Sequence, residues 1–122
     1  MGLAANIVRS GFSGGQSKGL NGAIATGLTA TGTVITDAFD MVADVNVFGT
    51  VASGTGAQLP SCELGDTLWV YNGGANTLKV YPDSSSAQIN QITAGSAMTL
   101  ATNTGCLYVR ITTTRWLANL SA

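Results

Sequence analysis

Six carboxylates, two thiols and no histidine make up the chemically capable residues of this 122-residue chain. Without histidine there is no Ser-His-Asp or Cys-His machinery, and the commonest metal ligand and general base is missing. The carboxylates are Asp37, Asp40, Asp44, Glu63, Asp66 and Asp83. Two such groups suffice for glycoside hydrolysis, but no spacing here marks a pair. Asp37, Asp40 and Asp44 do not follow the alternating oxygen ligands of a calcium loop. All six read as solvated surface acids. Cys62 and Cys106 are far apart and have no further soft ligand, so a zinc site is not expected. They read as free, partly buried thiols. "GGQSKG", Gly14 to Gly19, lacks the Gly-Lys-Ser/Thr ending of a phosphate loop. The sequence therefore predicts no enzyme, no metal and no cofactor.

Binding chemistry is left to aromatic residues. Trp69, Tyr71 and Tyr81 sit in the run "GDTLWVYNGGANTLKVYP", Gly65 to Pro82. Aromatics on one sheet face can stack on sugars, anchor a partner chain or fill a second hydrophobic layer. All three readings stand at this level. The five basic residues (Arg9, Lys18, Lys79, Arg110 and Arg115) are scattered and the net charge is −1. Nucleic-acid binding needs clustered Lys and Arg, so no nucleic-acid partner is expected. Neither is a membrane partner, because no stretch approaches the ~20 apolar residues of a spanning helix and no basic patch is present. No charged segment followed by an apolar block marks a secretory leader.

Such residues need a scaffold, and the pattern predicts strands throughout. In "TLWVYN" and "TLKVYP", Leu68, Val70, Leu78 and Val80 alternate with Trp69, Tyr71, Lys79 and Tyr81. With "GGAN" as the turn, this predicts a β-hairpin with one core face and one outer face that carries all three aromatics. Val45, Val47 and Val51 predict the inner face of an earlier strand, and "SGTGAQLP" predicts a turn. Further on, "AQINQI" predicts a short strand with Ile89 displayed, and "SAMTLAT" one with Met98 and Leu100 on a shared face. "GCLYVRITT" predicts a strand with Leu107, Val109 and Ile111 inward, opposite Cys106, Tyr108 and Arg110. "RWLANLSA" is the last strand. No segment has a helical period. Short strands at roughly 8–12-residue spacing predict an all-β fold, a small antiparallel β-sandwich or barrel of jelly-roll type.

Residues 1–30 are Gly-rich, with Ile7, Val8 and Phe12 as the larger apolar anchors before Leu20. Such a segment does not bury enough surface to fold alone. It predicts an extended N-terminal arm that uses those three residues as contacts, ahead of a single β-domain over 31–122. Charged residues are only 9% of the chain, against roughly 25% in ordinary soluble domains. So bland a surface predicts a protein packed against other chains.

The run from Ala43 to Pro82 resembles a segment of small structural proteins of tailed bacteriophages. The matching residues are Asp44–Val47, Gly54–Gly56, Leu59 and Pro60, Gly65 and Asp66, then Asn72, Gly74–Asn76, Leu78 and Val80–Pro82, with Trp116 closing the pattern. The similarity spans about Thr33 to Leu120. The resemblance implies a virion component of the head decoration or cement type on the outer capsid surface. Its partners would be the major capsid protein and further copies of itself, a trimer in that group. The same module also occurs in head fibres and tail proteins, so a receptor- or carbohydrate-binding role is the alternative.

Overall fold

A computed structural model describes residues 23–120. Its secondary structure is ten strands and one 3-10 turn, Ile35–Asp37. The strands are β1 (Ile24–Thr29), β2 (Phe39–Asp40), β3 (Val45–Thr50), β4 (Gly56–Gln58), β5 (Thr67–Asn72), β6 (Leu78–Tyr81), β7 (Gln88–Ile89), β8 (Met98–Leu100), β9 (Thr104–Thr112) and β10 (Arg115–Leu120). The all-β class holds. The antiparallel sandwich or barrel does not, because the first half of the body is wound as a parallel coil.

Two sheets face one another. One has six strands in the order β1-β3-β5-β9-β10-β7, the other four in the order β2-β4-β6-β8. β1, β3 and β5 run parallel in the large sheet, and β2, β4 and β6 run parallel in the small one. The chain alternates between sheets as it advances, so β1–β2, β3–β4 and β5–β6 are successive coils of a β-solenoid. The coil length is roughly 20 residues, the range of repeat proteins that bury a core only by stacking. Then the direction reverses. β8 pairs antiparallel with β6 and β9 with β5. β10 returns on β9 and β7 joins β10 in parallel. These last strands close one end of the stack.

The predicted hairpin is the main correction. β5 and β6 do not pair with each other; they lie in opposite sheets. The connection between them bonds to the coil before it. Gly73 N donates to Phe48 O at 2.8 Å, and Asn76 Nδ2 donates to Val51 O at 2.8 Å. A Cβ on Gly74 would lie 2.6 Å from Val51 Cγ2, so the corners of adjacent coils touch there. Asn72, fully buried, braces the bend: Nδ2 donates to Asn76 O and Leu100 O, and Oδ1 accepts from Gly74 N. Alternation in the two arms is the same in either arrangement. Leu68 and Val70 face Leu78 and Val80 across the core rather than beside them in one sheet.

The core lies between the sheets. Phe48, Leu68, Val70, Tyr108 and Trp116 come from the large sheet, and Ala57, Leu78, Val80 and Leu100 from the small one, with Met41 and Leu59 at its margin. Phe39 meets Phe48 edge-on at 5.7 Å between ring centroids. At several positions the inward face is not the one expected. β3 buries Asn46 and Phe48, with Val45 and Val47 half-exposed. β9 buries Cys106, Tyr108 and Arg110, and turns Leu107, Val109 and Ile111 outward. Ile89 is buried, not displayed. The expected turn "SGTGAQLP" contains β4, a central strand of the small sheet. Gly56 fits there because a Cβ would lie 2.8 Å from the Tyr81 ring that covers it.

The boundary expected near residue 30 falls inside the body. Ile24–Thr29 form β1, with Leu28 against the core and Ala30 within it. Gly27, at φ +65°, accompanies the register shift between Ala25 and Leu28. Such a kink in an edge strand blunts it against pairing with other chains.

Candidate functional site

Two constellations stand out, one buried and one displayed. The buried one joins the two sheets where the small sheet ends. Pro82 stops β6, and Asp83 follows with its side chain turned inward. Asp83 Oδ2 accepts from Arg110 Nη1 at 2.7 Å, and Oδ1 accepts from Trp116 Nε1 at 2.9 Å. Arg110 Nη2 donates to Thr113 O at 2.7 Å, and its guanidinium carbon lies 5.6 Å from the Trp116 ring centroid. Both ionised side chains are about nine-tenths buried. Burial alone would make the Arg110 charge harder to keep; the Asp83 hydrogen bond and charge outweigh it and hold the guanidinium protonated. Asp83 is therefore not a solvated surface acid, and Arg110 is not an outward residue of β9.

A shallow groove of about 280 Å³ opens beside this pair, between Asp40, Met41, Gln58, Pro60 and Asp83. Both Asp83 carboxylate oxygens already accept hydrogen bonds, which leaves Asp40 as the other acid on its wall. Other carboxylates brace loops. Asp37 Oδ1 accepts from Thr33 N and Val34 N, and Asp66 Oδ2 accepts from Glu63 N. Cys62 and Cys106 are both free thiols. Burial pushes both thiols up, with the Asp66 charge adding to the effect at Cys62.

The displayed constellation is the outer face of the large sheet. Trp69 and Tyr71 point outward from β5, 47% and 39% exposed. Register places neighbours beside them. Ile24 lies opposite Val45, Val45 opposite Trp69, Trp69 opposite Leu107, and Leu107 opposite Asn119. Next to this row, Val47 is opposite Tyr71; on the other side, Thr67 is opposite Val109 and Val109 opposite Leu117. The result is one apolar surface across β1, β3, β5, β9 and β10. Of the large apolar residues that are well exposed, Ile24, Trp69, Tyr71 and Leu117 all belong to it.

Tyr81 does not. It lies in the opposite sheet, 7% exposed, with its hydroxyl donating to Thr33 O at 3.1 Å. Burial and then the Asp37 charge push its hydroxyl pKa up. The expected three-aromatic face is thus split between the two sides of the molecule, for the same reason that the hairpin fails. Ile7, Val8 and Phe12 lie outside the described residues. Sequence reading missed Leu107, Val109 and Leu117 as surface residues, because aliphatic strand positions read as core. It missed the Asp83–Arg110–Trp116 cluster because nothing local joins residues so distant in the chain.

Comparison with protein-family models, with curated proteins and with solved structures yields no match for this chain.

Proposed function

We propose that this chain is a structural protein of a tailed-phage virion, a head decoration or cement protein that binds the outer capsid surface as a homo-oligomer and stabilises the shell. It acts through burial, not catalysis. The observation that carries the reading is the apolar outer face of the large sheet, on a chain with very little charge, together with the phage-type segment from Ala43 to Pro82. A cement protein needs surfaces that lose little by leaving water, and burial of apolar area supplies that. Modest contacts repeated over a symmetric shell add through avidity. The major capsid protein is the partner in this reading, and residues 1–22 precede the body at the edge strand β1.

The test uses purified protein and expanded, empty capsids. Binding that raises the capsid melting temperature supports the reading, since a ligand selective for the intact state stabilises it. No binding, or binding without any thermal shift, overturns it. A glycan array covers the receptor-module alternative: binding there that is lost in a folded Trp69→Ala variant replaces cementing with recognition.

A further inference from the structure

We infer that the outer face of the six-stranded sheet is a self-association surface, through which two copies pack face to face about a two-fold axis. The inference concerns the free protein and the same face that carries the virion reading, so the pair must part before that face meets a capsid, and the capsid assay and the association assay fail independently.

The face is apolar and contiguous. Ile24, Val45, Trp69 and Leu107 form one cross-strand row, and Val109 and Leu117 continue the surface on β9 and β10. It also carries little charge. The only charged residues in its five strands are Arg110 and Arg115. Arg110 points inward to Asp83, and Arg115, at the start of β10, keeps its charge at the border of the face while its Nη2 donates to the neutral Gln88 Oε1 at 2.7 Å. An apolar surface with so little charge is matched by another of the same kind, and a second copy offers one of identical size. A two-fold axis makes any such patch meet itself.

Area sets the strength. Five strands at about 4.8 Å spacing and six residues at about 3.3 Å give a plan of roughly 20 by 20 Å. That ~400 Å² is about half of the ~800 Å² per partner of a standard stable interface and falls in the range of weak, transient pairs. Stacked sheets pack about 10 Å apart with their strands near-aligned. This geometry predicts a pair that dissociates on dilution. The other occupants fit less well. A sugar needs convergent polar groups around the stacking ring; the cross-strand neighbours of Trp69 are Val45 and Leu107, and the polar groups nearest it are those of Thr67 and Tyr71 on its own strand. An anionic lipid surface needs a basic rim, and among the described residues Arg115 alone is basic in the five strands of this face without an acidic partner. Three-fold packing would set this face against a different surface; the well-exposed Val34, Val42 and Leu64 lie in separate connections between strands, and the opposite sheet covers its aromatic, Tyr81.

Sedimentation equilibrium on the full chain, from about 1 to 200 µM, tests the inference. Acrylamide quenching gives an independent readout, because Trp69 is half-exposed and Trp116, the other tryptophan, is buried. The expected result is a monomer–dimer equilibrium, with quenching that falls as the dimer forms. Trp69→Lys and, separately, Leu117→Lys weaken association at least tenfold while the melting curve of the dilute monomer stays cooperative. Val42→Lys, at a position 87% exposed outside both sheets, leaves association unchanged. A wild-type protein that is monomeric throughout, or a trimer, overturns the inference. So does a dimer that the folded lysine variants retain, or one whose formation leaves quenching unchanged. The quenching result decides the matter if either variant fails to fold.

Discussion

Asp83 and Arg110 meet at 2.7 Å in the seam between the two sheets, one from the end of the small sheet and the other from the middle of the large one. A buried pair of this kind contributes little over an apolar replacement, but losing one partner is costly. Asp83→Ala leaves the guanidinium uncompensated and Trp116 Nε1 unpaired. The expected loss is about 3–5 kcal/mol in urea unfolding, and salt will change it little, because buried pairs are weakly screened. The double variant Asp83→Leu/Arg110→Met should lose clearly less than the sum of its two single changes. Strict additivity would mean that the pair does not couple the sheets.

The coil corner makes a second test. In an open hairpin turn, Gly74 would tolerate alanine. Here a Cβ would approach Val51 to within 2.6 Å of a methyl and 2.7 Å of its backbone nitrogen. Gly74→Ala should cost about 1–3 kcal/mol by overpacking. Gly49→Ala, whose Cβ would lie 3.7 Å from Gly27 Cα, should stay within about 0.5 kcal/mol of wild type. Thermal melts of the two variants side by side measure the difference.

Alkaline pH should unfold the protein before it affects an ordinary β-domain. Tyr108 is wholly buried, with Met98 Sδ at 3.7 Å from its hydroxyl. Burial, and then Cys106, push the phenol well above its ordinary range. Burial raises the Cys106 thiol too. For both groups the folded value exceeds the unfolded one. Their contribution is therefore complete below the unfolded values, about 8.5 for a thiol and 10 for a phenol. It falls as pH rises past them towards the folded values, by up to about 1.4 kcal/mol per pH unit for each group. Tyr108→Phe should flatten the slope above pH 10, measured as urea midpoints across pH. An unchanged slope would show that Tyr108 does not ionise on unfolding.

Truncation separates the N-terminal residues from the body. Removing residues 1–22 leaves every described strand in place and should leave the melting temperature of the body within a few degrees. Extending the deletion through Thr29 removes β1, uncovers β3 and strips Leu28 from the core. A loss of about 2–5 kcal/mol is expected, on the scale of one large buried aliphatic residue. Equal stability of the two truncated chains would show that β1 adds nothing to the solenoid.

Which features were legible in the sequence follows from the range of each interaction. Alternation in β5 and β6 marked Leu68, Val70, Leu78 and Val80 as core correctly, because the two-residue period of a strand is local. Trp69 and Tyr71 were legible as displayed aromatics for the same reason. Tyr81 was not. Its period matches theirs, but its strand belongs to the other sheet, and only pairing decides that.

The amino-acid sequence by itself determined that this is an all-β chain, where most of its strands lie, and that its surface carries little charge. The tertiary structure decided what pairs with what. "GGAN" bends as a coil corner because Gly73, Gly74 and Asn76 contact Phe48 and Val51 of the preceding coil. Residues so far apart in the chain leave no local pattern. The inward face of β9 was decided in the same way. Leu107, Val109 and Ile111 are the more apolar set, yet Tyr108 and Arg110 go inside, because Asp83 arrives from the other sheet to neutralise the arginine. Hydrophobicity is a property of one residue, whereas compensation of a buried charge requires two that only the fold brings together.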